Sequence, residues 1–187
     1  MELHIANHRL QAWWNRGELI EFGRFRHRVF VMDAGEEHAS ASETLLLLHG
    51  FPESSYSYAG ALPGLLQCFK RVVLFDMLGY GFSDKPQPEQ YAYSLVDQAD
   101  VALSVWRQLE ICGGHILGHD MGDSVLTELL ARLNDNRPDW FGEGFQSVTL
   151  TNGGMVLSEA KLRIGQKLLL SSAGRLLSRG LSWYPVL

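Results

Sequence analysis

Residues 113–124 read GGHILGHDMGDS. A short apolar run ends in Gly118, then comes a polar residue, Asp120, between two arbitrary positions, then a second glycine, Gly122. This order predicts a strand, a sharp turn and a helix. Small residues on either side let backbone pass close to backbone, and the turn lifts the middle side chain clear of the sheet. It is the spacing of a nucleophile elbow, with a carboxylate where serine is more familiar. Serine needs a base before it can attack, whereas a carboxylate is ionised at neutral pH and can attack an sp3 carbon directly. The helix that follows puts partial positive charge beside that carboxylate. Asp is also a favoured N-cap residue, which is the plainer reading of Asp120.

Working outward, TLLLLHG (44–50) and RVVLFDMLG (71–79) are continuous apolar runs closed by polar residues and glycine. Such runs suit parallel strands covered on both faces. RFRHRVFVMDAG (24–35) instead alternates, with Phe25, Val29 and Val31 on one face and Arg24, Arg26 and Arg28 on the other, as in a half-exposed strand near a sheet edge. SLVDQADVALSVWRQLE (94–110) reads as a helix with a Ser94–Asp97 capping box and with Leu95, Ala99, Ala102, Trp106 and Leu109 on one face. A second helix is expected from about Gly122 to Leu133, and a further strand at FQSVTLTN (145–152). Alternating strands and helices imply an α/β protein with a doubly wound, mostly parallel sheet. From Ser158 onward the pattern is helical. Residues 1–155 are therefore read as the core of the fold and 156–187 as the start of a helical cap.

The composition excludes some functions. With 187 residues, 46% of them hydrophobic, the chain can bury one core. Net charge is −5, so there is no general basic surface for nucleic acid. Lys161, Arg163, Lys167, Arg175 and Arg179 nevertheless follow Glu159 with no acid after it. Those cations among leucines allow an interfacial, membrane-associated helix, but glycines at 165, 174 and 180 interrupt it and favour the cap. Cys68 and Cys112 lack metal or redox spacing and read as reduced thiols. The polar start of the chain resembles no signal peptide, and a soluble, cytoplasmic protein is expected. Trp13, Trp14 and Trp106 read as packing residues.

Three motifs stand in order, each after a strand: HGFP (49–52), DMLGYGFSDKP (76–86) and GHDMG (118–122). Open α/β sheets bind ligands at the carboxyl ends of their strands. In that order the motifs resemble the α/β-hydrolase fold, in its branch with an aspartate nucleophile: epoxide hydrolases and haloalkane dehalogenases. HGFPESSYSY, GYGFSDKP, HDMGD and TNGG resemble most the mesoderm-specific transcript proteins of that branch, over roughly residues 20 to 180.

The resemblance implies Asp120 as nucleophile, forming an alkyl ester with a small-molecule electrophile, an apolar epoxide or a related compound, without metal or cofactor. It implies oxyanion donors at the backbone N–H groups of Phe51 and Met121. His49, Gly50, Pro52, Gly118 and Gly122 are then structural, with Pro52 stiffening the loop and His49 hydrogen bonding in it. Asp76 and Ser83 are read as turn formers, Gly79 and Gly81 as positions of positive φ, and Tyr56 and Tyr58 as pocket, packing or surface residues. Met121 departs from the tryptophan that helps hold halide in many dehalogenases, which counts against haloalkane dehalogenation.

The family's histidine base comes last in chain order. The seven histidines here are His4, His8, His27, His38, His49, His115 and His119, and none follows Asp120. His119 is read as structural, and the place of an orienting acid falls near Asn152, which carries no charge. The expectation is an N-terminal portion of the fold, ending after about the sixth strand, with the base, the acid and the rest of the cap beyond Leu187. The alternative to an epoxide hydrolase is a non-catalytic, truncated or degenerate relative.

Overall fold

The computed structural model describes residue 5 and residues 7–153. Six strands form one sheet: β1 (Glu18–Phe22), β2 (His27–Gly35), β3 (Thr44–Leu48), β4 (Arg71–Phe75), β5 (Gly113–His119) and β6 (Gly144–Thr151). Their spatial order is β1-β2-β4-β3-β5-β6. The pairs β4–β3, β3–β5 and β5–β6 are parallel, while β1–β2 and β2–β4 are antiparallel. Among the described residues four α-helices flank it: α1 (His8–Trp14), α2 (Leu62–Cys68), α3 (Leu95–Gln108) and α4 (Met121–Asp135).

The apolar runs serve two layers at once, because successive side chains of a strand point to opposite faces. Leu46, Leu48, Val73 and Phe75 pack with Ala99, Ala102, Val105 and Trp106 of α3 and Val125, Leu126 and Leu129 of α4. Leu45, Leu47, Val72 and Leu74 pack on the other side with Trp13 of α1 and Leu62 of α2. A strand of TLLLL is thus apolar throughout because both of its faces are interior. Trp13 and Trp106 are buried, and Trp14 stacks on Phe30 at 5.6 Å.

Residues 24–35 depart from the half-exposed reading. Phe25 lies in the β1–β2 turn and is exposed, and Val29 to Met32 are all buried. The reason is β1, which takes the edge and leaves β2 with neighbours on both sides. The α3 capping box is present, with the Ser94 hydroxyl accepting from the Asp97 N–H at 3.0 Å and the Asp97 carboxylate accepting from the Ser94 N–H at 3.2 Å. Leu95, however, is exposed, because the buried stripe begins one turn later at Gln98 and Ala99. Cys68 and Cys112 are free thiols. Among the described residues, no helix is long and apolar enough to cross a membrane. The cap expected from residue 156, and its membrane alternative, lie outside the described residues.

Candidate active site

The strands β4, β3 and β5 are neighbours in the sheet and run parallel, so their carboxyl ends bring the loops after Phe75, Leu48 and His119 together. Asp120 joins β5 to α4 with φ 53° and ψ −110°. A non-glycine residue in that region costs about 1–3 kcal/mol and persists only where its surroundings hold it. Here the surroundings are backbone. A Cβ on Gly122 would lie 2.6 Å from the Leu48 carbonyl oxygen, and one on Gly118 would lie 2.9 Å from the Asp123 nitrogen.

One carboxylate oxygen of Asp120 receives two backbone donors. The Phe51 N–H donates to Oδ1 at 2.9 Å and the Met121 N–H donates to the same atom at 2.7 Å. Oδ2 accepts from none of the described residues. The Met121 N–H is also the first of the open donors at the start of α4, where the helix dipole favours negative charge.

His49 sets the direction of the Phe51 donor. It is buried, its Nδ1–H donates to the Gly50 carbonyl at 2.9 Å, and its Nε2 accepts the Met77 N–H at 3.0 Å. Both nitrogens are committed, in a neutral tautomer, and burial pushes the imidazole pKa down. The Gly50 carbonyl and the Phe51 N–H belong to one peptide unit and point in opposite directions, so holding the first aims the second. The Glu53 N–H closes the turn on the same carbonyl at 3.0 Å. Gly50 has room for no side chain, since its Cβ would be 2.7 Å from Asp120 Cβ and 2.9 Å from His119 Nδ1. Pro52 follows through a cis peptide bond.

Asp76 does more than form a turn. It is buried, with Oδ1 accepting from the Ser55 N–H and Oδ2 from the Phe82 N–H, both at 2.7 Å. It thereby ties the loop after β3 to the loop after β4. Ser83 donates to the Asp76 carbonyl and accepts from the Phe30 N–H. Gly79 and Gly81 have φ of 96° and 46°. Tyr56 packs edge-on against Trp13, and Tyr58 donates to the Leu48 carbonyl, so both serve packing.

Two residues at the site escaped the sequence reading. Asp123 is buried in the first turn of α4, and its Oδ1 accepts the Thr151 N–H of β6 at 3.1 Å. Burial pushes its carboxyl above the usual range. From sequence it is one more acid at a helix start. Tyr80 stands over the elbow: its hydroxyl donates to Met121 Sδ at 3.6 Å, and its ring meets Phe51 at 6.3 Å and His49 at 5.4 Å. The GYG spacing signals a turn and says nothing of where the ring goes. His119 has Nδ1 3.5 Å from Glu53 Oε2 and Nε2 3.1 Å from Asn152 Nδ2, so it bridges the loop after β3 and the end of β6. Among the described residues no cluster of His, Cys, Asp or Glu could hold a metal ion.

Residues 43–173 match the family model described as the alpha/beta hydrolase fold. The chain is 38% identical over 162 residues to the mesoderm-specific transcript protein of Mus musculus, covering 86% of this chain and 46% of that protein. It is 36% identical over 106 residues to epoxide hydrolase B of Mycobacterium tuberculosis (strain ATCC 25618 / H37Rv), covering 53% of this chain and 30% of that one. The solved structure of epoxide hydrolase CorEH without ligand matches with a TM-score of 0.64 at 23% identity, covering 90% of this chain and 57% of that one. The chain spans about half the length of the mesoderm-specific transcript protein it matches. With the elbow, the parallel strand order and the family model in agreement, the chain belongs to the alpha/beta hydrolase fold family.

Proposed function

We propose that the chain carries the nucleophile and the oxyanion donors of an epoxide hydrolase-type site acting on a small-molecule electrophile. The observation that carries this reading is the single Asp120 oxygen held by two backbone N–H groups at a strained elbow. Oδ2 is the attacking atom. It forms a bond to an epoxide carbon, the ring C–O bond breaks, and the ring oxygen takes its electron pair and a proton from solvent. Oδ1 becomes the ester carbonyl oxygen, still gripped by Phe51 and Met121. When water later adds to that ester, negative charge grows on Oδ1, where preorganised donors are worth most. The similarity to epoxide hydrolase B supports an epoxide as the electrophile.

Hydrolysing the ester also needs a base that activates water. His49 has both nitrogens engaged and no histidine follows Asp120 in this sequence, so the second half-reaction is assigned to no residue of it. The second reading is a non-catalytic member of the family.

The test is a reaction that stops after one step. Incubation with a reactive aryl epoxide should add one substrate mass to the peptide containing Asp120, without turnover, and Asp120→Asn should abolish the adduct. A folded wild-type protein that gains no adduct sinks the nucleophile reading and leaves the non-catalytic one. Sustained diol formation would mean that a base acts within these residues, with His119 the first to replace.

A further inference from the structure

We infer that Tyr80, together with Phe51 and Met121, forms an aromatic and thioether wall beside Asp120 that selects electrophiles carrying a flat aryl substituent next to the reacting carbon. The inference rests on the reading of Asp120 as nucleophile and goes beyond it in naming the substituent.

Three contacts define the wall. Phe51, whose N–H holds Asp120, is 49% exposed, a large apolar residue open beside the elbow. Tyr80 meets that ring nearly at right angles, with interplanar angle 89° and centroids 6.3 Å apart. Its hydroxyl donates to Met121 Sδ at 3.6 Å. A thioether is a weak acceptor, so this bond does little for the hydroxyl. It does restrain methionine, a side chain with three rotatable bonds that would otherwise sample several positions. Tyr80 therefore holds a sulfur and a phenyl ring in fixed places on either side of itself. Burial and the charge of Asp120 push the phenol pKa up, which keeps the hydroxyl a donor to that sulfur.

The chemistry of the wall sets the preference. Ring edges, ring faces and a polarisable sulfur attract another aromatic ring beyond what area burial supplies. A methyl-substituted epoxide collects none of this. If Tyr80 were only a packing residue, its loss would slow the reaction of every electrophile alike. A selecting residue changes the ratio between them.

Two measurements on the 187-residue chain decide the matter. In the first, a phenyl-substituted and a methyl-substituted epoxide compete for Asp120, and the adduct ratio is divided by the ratio for the same pair reacting with a free carboxylate. The wild type should favour phenyl, Tyr80→Ala should cut that preference about fivefold, the size of one or two lost aromatic contacts, and Tyr80→Phe should keep most of it. A normalised ratio near one, or equal loss for both epoxides in Tyr80→Ala, overturns the inference. The second measurement needs no reaction: in Asp120→Asn protein with 13C-labelled methionine methyls, the Met121 signal, identified by its absence in Met121→Leu, should shift with phenyl glycol and stay still with propanediol. No phenyl-specific shift overturns the wall. A phenyl-specific shift together with no alkylation of wild type keeps the wall and removes the nucleophile. Should Tyr80→Ala fail to fold, the wild-type ratio and the methyl shift decide alone.

Discussion

Gly122 shows how little freedom the elbow has. Its absent side chain is what lets the first turn of α4 rest on the carbonyls of Leu48 and His49, which a Cβ would approach to 2.6 and 2.8 Å. Those carbonyls lie at the last residue of β3 and the one after it, both buried, so they cannot retreat. Gly122→Ala should therefore destabilise the protein by about 1–3 kcal/mol, the usual range for overpacking. The midpoint of urea unfolding measures it. Gly64 provides the opposite case within the same chain. It lies inside α2 with nothing within 4 Å of a built Cβ, so Gly64→Ala should raise stability by roughly 0.5–1 kcal/mol through helix propensity. An unchanged midpoint in Gly122→Ala would mean that backbone contact does not hold the elbow.

Between elements, buried or half-buried carboxylates do the joining. Asp123 connects α4 to the end of β6 through the Thr151 N–H. Asp123→Ala leaves that donor without its partner and should cost about 1–3 kcal/mol, with faster hydrogen exchange at Thr151. Asp123→Asn keeps an acceptor oxygen and should cost much less. Asp84 connects β2 to the loop after β4: its Oδ2 accepts the Arg28 N–H at 2.7 Å and its Oδ1 accepts from Arg28 Nη2 at 2.9 Å. Burial pushes the Asp84 carboxyl up, but the bonds from Arg28 outweigh it and the pKa ends below the usual value. A carboxyl depressed on folding contributes stability that is complete above its unfolded pKa, about 4, and lost as pH falls through the lower folded value. Thermal melts between about pH 5 and pH 2 should lose part of their acid dependence in Asp84→Asn. Identical slopes in the two proteins would show that Arg28 and Asp84 are not coupled.

At the scale of the whole molecule, two apolar layers share one sheet, and among the described residues that sheet has an open edge at β6. β6 carries no charge and no proline, and its Val148 and Leu150 are exposed. Among the described residues nothing pairs with its outer edge. An unprotected edge of this kind recruits other strands. The chain should self-associate at micromolar concentration, and Val148→Lys with Leu150→Lys should shift sedimentation velocity profiles toward monomer. Profiles that do not change with concentration in the wild type would mean that the β6 edge is protected.

The types of the elements and their order were legible in the sequence, because they depend on neighbours along the chain. Four-residue apolar runs identify buried strands, the Ser94–Asp97 pair starts a helix, and glycines two residues either side of Asp120 mark the elbow. The edge strand β1 was not legible: ELIEF is short, and only its pairing with β2 decides that β2 is interior. Nor was the role of Asp76 or Asp123, since a carboxylate reads the same whether it faces water or two buried amides. The sequence by itself therefore determined the fold and the position of Asp120 at the strand-to-helix turn. Tertiary structure decided which groups surround it, because Phe51 and Tyr80 lie 69 and 40 residues from Asp120 along the chain, and parallel strands bring such distant loops to one end of the sheet.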